Sequence, residues 1–104
     1  MAAAGDPEKL AREELRQETG LTAGVMRHLG HLDCAHGMLS QAFDVFVASG
    51  LIPGEPDLEI EEQDLRSRWF GRAELERMIR RGGITDDATL AAYTLFLLAG
   101  ATAG

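Results

Sequence analysis

Arg12-Glu13-Glu14-Leu15-Arg16-Gln17-Glu18-Thr19-Gly20-Leu21 is the stretch that decides how this chain of 104 residues is read. At roughly 100° per residue, Leu10, Glu14, Glu18, Ala11 and Leu15 share one arc about 140° wide, and Lys9, Arg12, Glu13 and Arg16 fill the other side. Two glutamates thus stand where an amphipathic helix carries leucine. A carboxylate on a packing face loses water at high cost unless a cation or hydrogen-bond donors compensate. A divalent metal ion is one such compensation.

The helix has clear ends. Asp6-Pro7-Glu8 supplies an N-cap, a proline at the first helical position and an acid in the first turn, and Gly20 suits the residue after the last turn, so a helix is expected from about Pro7 to Thr19. Val25 to Cys34 alternates imperfectly, and Gln41 to Ser49 is rich in β-branched and aromatic residues, so both are expected as strands joined by a loop around Gly37. Turn formers fill Gly50 to Asp57, and an acidic run follows from Leu58 to Asp64. Leu65 to Phe70 is expected as a third short strand. Arg72 to Arg81 is expected as a helix with an apolar stripe at Leu75, Met78 and Ile79, ended by Gly82-Gly83. Thr85-Asp86-Asp87 caps a last helix through Ala99 that is apolar nearly all round and needs cover on several sides. Residues 1–5 and 101–104 are expected to be frayed tails.

Composition bounds the function. An apolar content of 45% in a chain this short supports one small domain spanning 1–104. Ten basic against 17 acidic residues give a net charge of −7, which disfavours nucleic-acid and anionic-membrane partners and suits a site that gathers cations. Cys34 is the only cysteine, which excludes an intrachain disulfide and favours a reduced, cytoplasmic setting. No stretch approaches the roughly 18 apolar residues that span a bilayer.

With the register set by Leu15, Gly20 and Leu21, Arg12 to Leu21 resembles the second half of the Nudix box, Arg-Glu-U-x-Glu-Glu-x-Gly-U with U a bulky aliphatic. Glu14 and Glu18 match two of the family's metal-binding glutamates. Gln17 stands in place of a third, and Glu13 in place of the arginine that orients a neighbouring carboxylate. Gly5-Asp6-Pro7 is similar to the segment that enters the Nudix helix, although the family's earlier glutamate falls on Gly5. Further along, Gly37 to Ala48, Gly50-Leu51 through Pro56, Arg68-Trp69-Phe70 and Ile84 to Ala92 resemble the C-terminal half of ADP-ribose pyrophosphatase-type members. The resemblance implies an α/β protein with a mixed sheet between flanking helices. The N-terminal strands, which in the family also bind adenine and ribose, have no counterpart in this sequence.

The same resemblance implies Mg²⁺- or Mn²⁺-dependent hydrolysis of the pyrophosphate in a nucleoside diphosphate derivative, such as ADP-ribose or a nucleotide sugar, by a homodimer. Glu14 and Glu18 would hold the metal with Gln17 at its edge, an amide carbonyl being a neutral, weaker ligand. A further glutamate in the loop before the tryptophan would position water or bind metal, for which Glu62 and Glu61 are the candidates, ahead of Glu59. The alternative is a degenerate or truncated module that binds nucleotide or a protein partner without catalysis, which Glu13, Gln17 and Gly5 favour. A start codon placed too late would leave the same sequence pattern.

Other signals have plainer explanations. Glutamates four apart on a helix are usually solvated, and so are acidic runs such as Glu59 to Asp64. On a regular strand His28 and His31 point to opposite faces, which argues against a transition-metal site with His36. Cys34 is expected to be a small buried hydrophobe, and Trp69 and Tyr93 core residues. Arg77, Arg80 and Arg81 complement the dipole at a helix C-terminus.

Overall fold

The structure, a computed structural model, describes residues 5–36, 39–58 and 67–100, and the side chains of all of these except 34–36, 39 and 40. The chain forms two compact units, Met1–Ser67 and Arg68–Gly104.

The first unit opens with α1, Pro7–Thr19. The Asp6 carboxylate accepts the Lys9 main-chain N–H at 3.1 Å, and Pro7 fills the first turn, where a missing N–H removes no helical bond. Gly20 closes the helix at φ +81°, and its N–H donates to the Arg16 carbonyl at 2.8 Å. Strands β1, Thr22–His36, and β2, Leu39–Ile52, then pair antiparallel from Thr22 opposite Ile52 to His36 opposite Leu39. Both strands are longer than their apolar runs suggest. The pairing shifts register between His28 and Gly30, leaving Leu29 as a bulge.

Among the described residues of this unit, Ala23, 6% exposed, and Val45 are the buried apolar ones. Arg12 ties α1 to β1 by donating from Nη1 to the Ala23 carbonyl at 2.7 Å, while its Nε donates to Glu8 at 3.0 Å. The chain leaving β2 returns to the end of α1, where the Asp57 N–H donates to the Gln17 main-chain carbonyl at 2.7 Å.

The second unit holds α2, Arg72–Arg80, and α3, Asp87–Leu98. Gly82, at φ +77°, follows the end of α2. Asp86 caps α3 by accepting the Thr89 N–H at 2.9 Å and the Thr89 hydroxyl at 2.6 Å. The two helices meet through the Tyr93 hydroxyl, which donates to Glu76 at 2.5 Å, and through Arg72, whose guanidinium lies 5.3 Å from the Phe96 ring centre. The dipole role expected for the C-terminal arginines of α2 fits Arg77 and Arg80, which occupy its last turn.

Several sequence expectations change. Among the described residues the sheet is two-stranded and antiparallel, not mixed, and residues 67–70 form no strand. A strand at this place needs a partner edge, and the described residues pair only β1 with β2. Trp69 is 73% exposed rather than core; beside it, Arg68 stacks 4.2 Å from the Phe70 ring centre and pairs with Glu74. Tyr93 is half-buried. No residue of α3 is buried, and Leu98 is 79% exposed, so the cover its apolar surface calls for is not supplied by the described residues. The tails at 1–4 and 101–104, the loop at Gly37 and the side chain of Cys34 lie outside the described residues.

Candidate functional site

The candidate site is built on α1. Its defined N-cap and its Gly20 turn hold Glu14 and Glu18 one turn apart on the same side of the helix. Glu14 is exposed and Glu18 half-buried. The apolar arc around them is only partly covered: Leu15 and Ala11 are half-buried, but Leu10 is 57% exposed. The desolvation expected of the Glu14 carboxylate does not occur, because this part of the arc borders an open cleft instead of a packed core. Gln17 is half-buried, and its main-chain carbonyl is taken by Asp57. Arg12 stands one residue before the position, Glu13, where the resemblance would place an arginine. Its guanidinium is spent on Glu8 and the Ala23 carbonyl.

The acidic residues Glu59, Glu61 and Glu62 lie outside the described residues. The chain that leads to them is placed, because Asp57 is bonded to Gln17 and Gly54 packs against Gly20. This loop therefore leaves for the acidic run from the C-terminal turn of the helix that carries Glu18.

A cleft of about 530 Å³ lies between α1 and β2. Its apolar wall includes Leu10, Phe43 and Phe46, and its polar lining is Asp6, Lys9, Glu13, Glu14 and Asp44. Asp44 is the centre of a cluster that sequence reasoning missed. His28 Nε2 lies 2.9 Å and His31 Nδ1 3.2 Å from the same carboxylate oxygen, Oδ1. The bulge at Leu29 explains this: it sets His28 opposite Phe46 and His31 opposite Asp44, two positions on one face of β2. The expectation that the histidines face apart fails for that reason. The hydrogen bonds from His28 and then His31 hold the Asp44 carboxyl below its ordinary range. An ionised carboxylate only accepts, so both imidazoles carry their proton on the nitrogen that meets it. His28 also meets the Phe46 ring edge-on, with ring centres 5.1 Å apart.

Among the described residues, no group of three or more His, Cys, Asp or Glu side chains is arranged to hold a metal ion. His28, His31 and Asp44 therefore form a hydrogen-bonded cluster, not a ligand set. Glu14 and Glu18 offer two carboxylates. That donor chemistry fits Mg²⁺, which commonly takes one or two protein carboxylates and completes its shell with water and substrate phosphate oxygens.

Compared with known proteins, the chain is similar to a Mycobacterium tuberculosis (strain ATCC 25618 / H37Rv) protein named ADP-ribose pyrophosphatase, with 38% identity over 90 residues. The match takes in 85% of this chain and 44% of that protein, so the chain spans less than half the length of the relative it matches. No family model matches the chain. No solved structure matches it. Among the described residues no helix is long and apolar enough to cross a membrane.

Proposed function

We propose that this chain is a Nudix-type hydrolase acting on the pyrophosphate of a nucleoside diphosphate derivative, with ADP-ribose the leading substrate. The observation that carries this reading is the similarity to a protein named ADP-ribose pyrophosphatase over 85% of the chain. The placement of the half box agrees with it: Glu14 and Glu18 lie on one side of a helix ended by the glycine the box requires.

Glu14 and Glu18 would hold Mg²⁺, with Gln17 at the edge. When bound, such an ion neutralises phosphate charge and lowers the pKa of water. Glu62 or Glu61 would orient the attacking water and take its proton. Water adds across the P–O–P bridge, and ADP-ribose gives AMP and ribose 5-phosphate. Replacing the third glutamate by Gln17 removes one negative charge, so metal binding is weaker than with the complete box.

A second reading, a module that binds nucleotide or a protein partner without turnover, is favoured by Arg12. Its guanidinium is engaged by Glu8 and the Ala23 carbonyl, and Glu13 stands where the box arginine belongs. One assay separates the two. Mg²⁺-dependent release of AMP from ADP-ribose, strongly reduced in Glu18→Gln, supports the hydrolase; release unchanged in that variant removes Glu18 from the site, and no release leaves the binding module.

A further inference from the structure

We propose that α3 is an interaction surface for a second copy of this chain, on which the same helix of the partner lies antiparallel. This goes beyond the hydrolase and does not rest on it. Shape and charge select the occupant.

One side of α3 is engaged within its own unit, where the Tyr93 hydroxyl donates to Glu76 and the Phe96 ring lies beneath Arg72. At roughly 100° per residue, Ala88, Ala91, Ala92, Leu95, Leu98 and Ala99 share another arc, about 120° wide. Leu98 is 79% exposed there, and no charged residue occurs from Ala88 to Gly104. The arc is graded along the helix: alanines fill its N-terminal half, and both leucines stand in its C-terminal half. About a two-fold axis, an antiparallel copy sets Ala88 against the partner's Leu98 and Ala91 against the partner's Leu95. Each leucine then enters the space beside a small side chain. A parallel copy sets leucine against leucine and alanine against alanine, which leaves a gap at one end.

Charge favours the same order. Asp86 and Asp87 open α3, and Arg72 sits near its other end, over Phe96. Antiparallel pairing brings the acidic start of each helix to the end that carries the partner's Arg72, and it opposes the two helix dipoles. An anionic bilayer has no such match, because a chain of net charge −7 is repelled by it. Twelve residues make a helix of roughly 18 Å, so this face is smaller than the roughly 800 Å² per partner of a standard interface, and the dimer should dissociate on dilution.

Sedimentation equilibrium of the full chain tests this, with circular dichroism to check that each variant keeps its helices. The mass should rise from monomer to dimer with concentration. Leu98→Lys puts a charge into the contact twice by symmetry and should weaken association at least about tenfold. Residue 98 is exposed, so the fold should survive the change. Val25→Lys, at an exposed apolar residue of β1, should leave association as it is. Arg72→Glu and Asp87→Arg should each weaken the dimer, and the two together should recover it. A chain that stays a monomer up to about 0.1 mM, or a dimer indifferent to Leu98→Lys, overturns the surface. Association lost in Val25→Lys moves the interface to the hairpin and overturns it too. A double variant no tighter than either single one overturns the antiparallel order.

Discussion

Gly20 and Gly54 pack main chain against main chain: a Cβ placed on Gly20 would lie 2.1 Å from the Gly54 carbonyl oxygen, and one on Gly54 would lie 2.9 Å from the Gly20 oxygen. Gly20 also has φ +81°, a conformation that side chains oppose. The glycine that ends the glutamate helix thus serves twice, as its left-handed cap and as the seat for the loop that follows β2. Gly20→Ala should destabilise the first unit by roughly 2–3 kcal/mol, combining left-handed strain with displacement of the loop. Gly5→Ala, where a Cβ meets nothing within 4 Å, is the control. Urea unfolding of both variants checks the difference.

Arg12 is expected to matter for stability more than its half-exposed position suggests. Its bond to the Ala23 carbonyl joins α1 to β1 beside a residue that is 6% exposed. Arg12→Ala removes that donor and leaves the carbonyl to find water, at a cost of about 1–2 kcal/mol. Glu8→Ala breaks only the exposed ion pair and should change stability by less than about 0.5 kcal/mol. A shift of similar size in both variants would place the effect in the ion pair instead.

Acid should loosen the hairpin through Asp44. Its carboxyl is held below the ordinary value of 3.8, chiefly by the hydrogen bond from His28. A depressed carboxylate stabilises the fold above its unfolded pKa, and that contribution is lost as pH falls through the lower folded value. The loss therefore begins near pH 3.8 and continues below it. Asp86, lowered mainly by the Thr89 hydroxyl and next by the Thr89 N–H, acts in the same direction at the start of α3. Urea midpoints measured from pH 5 to pH 2 should fall less steeply in Asp44→Asn than in the unaltered chain. Parallel curves would refute the role of Asp44.

What the sequence made legible is what local chemistry decides. The bounds of α1 follow from Asp6, Pro7 and Gly20, each acting within one turn of its own position, as the end of α2 follows from Gly82 and the start of α3 from Asp86. The hairpin follows from the imperfect alternation of Val25 to Cys34 and the β-branched and aromatic content of Gln41 to Ser49. The bulge does not, because nothing in Arg27-His28-Leu29-Gly30 marks Leu29 as the unpaired residue; pairing with β2 decides it. The Asp44 cluster depends on that bulge and was hidden with it. Trp69 was misjudged because aromatic content signals a buried strand only when a neighbouring strand is present to bury it. Of the candidate site, the shared helix side of Glu14 and Glu18 follows from their four-residue spacing within α1. The openness of the cleft beside Glu14 depends on what covers α1, which helical periodicity does not encode.

The two glutamates should also respond unequally to substitution. Glu14 is exposed at the cleft, while Glu18 is half-buried and already engaged with its surroundings. If both hold Mg²⁺ in the proposed hydrolase, Glu14→Gln and Glu18→Gln should each lower kcat/KM for ADP-ribose by more than about 10–100-fold, the usual cost of losing even an outer partner of a metal ligand. Raising Mg²⁺ should recover part of the activity in Glu14→Gln, because the exposed position admits water in place of the carboxylate. It should recover less in Glu18→Gln, where the half-buried position admits water less readily. Gln17→Glu restores the charge that the complete box carries and should lower the Mg²⁺ concentration needed for half-maximal rate. Magnesium titrations of the unaltered chain and the three variants check this order. A Gln17→Glu protein that needs as much Mg²⁺ as the unaltered chain would remove Gln17 from the metal's surroundings.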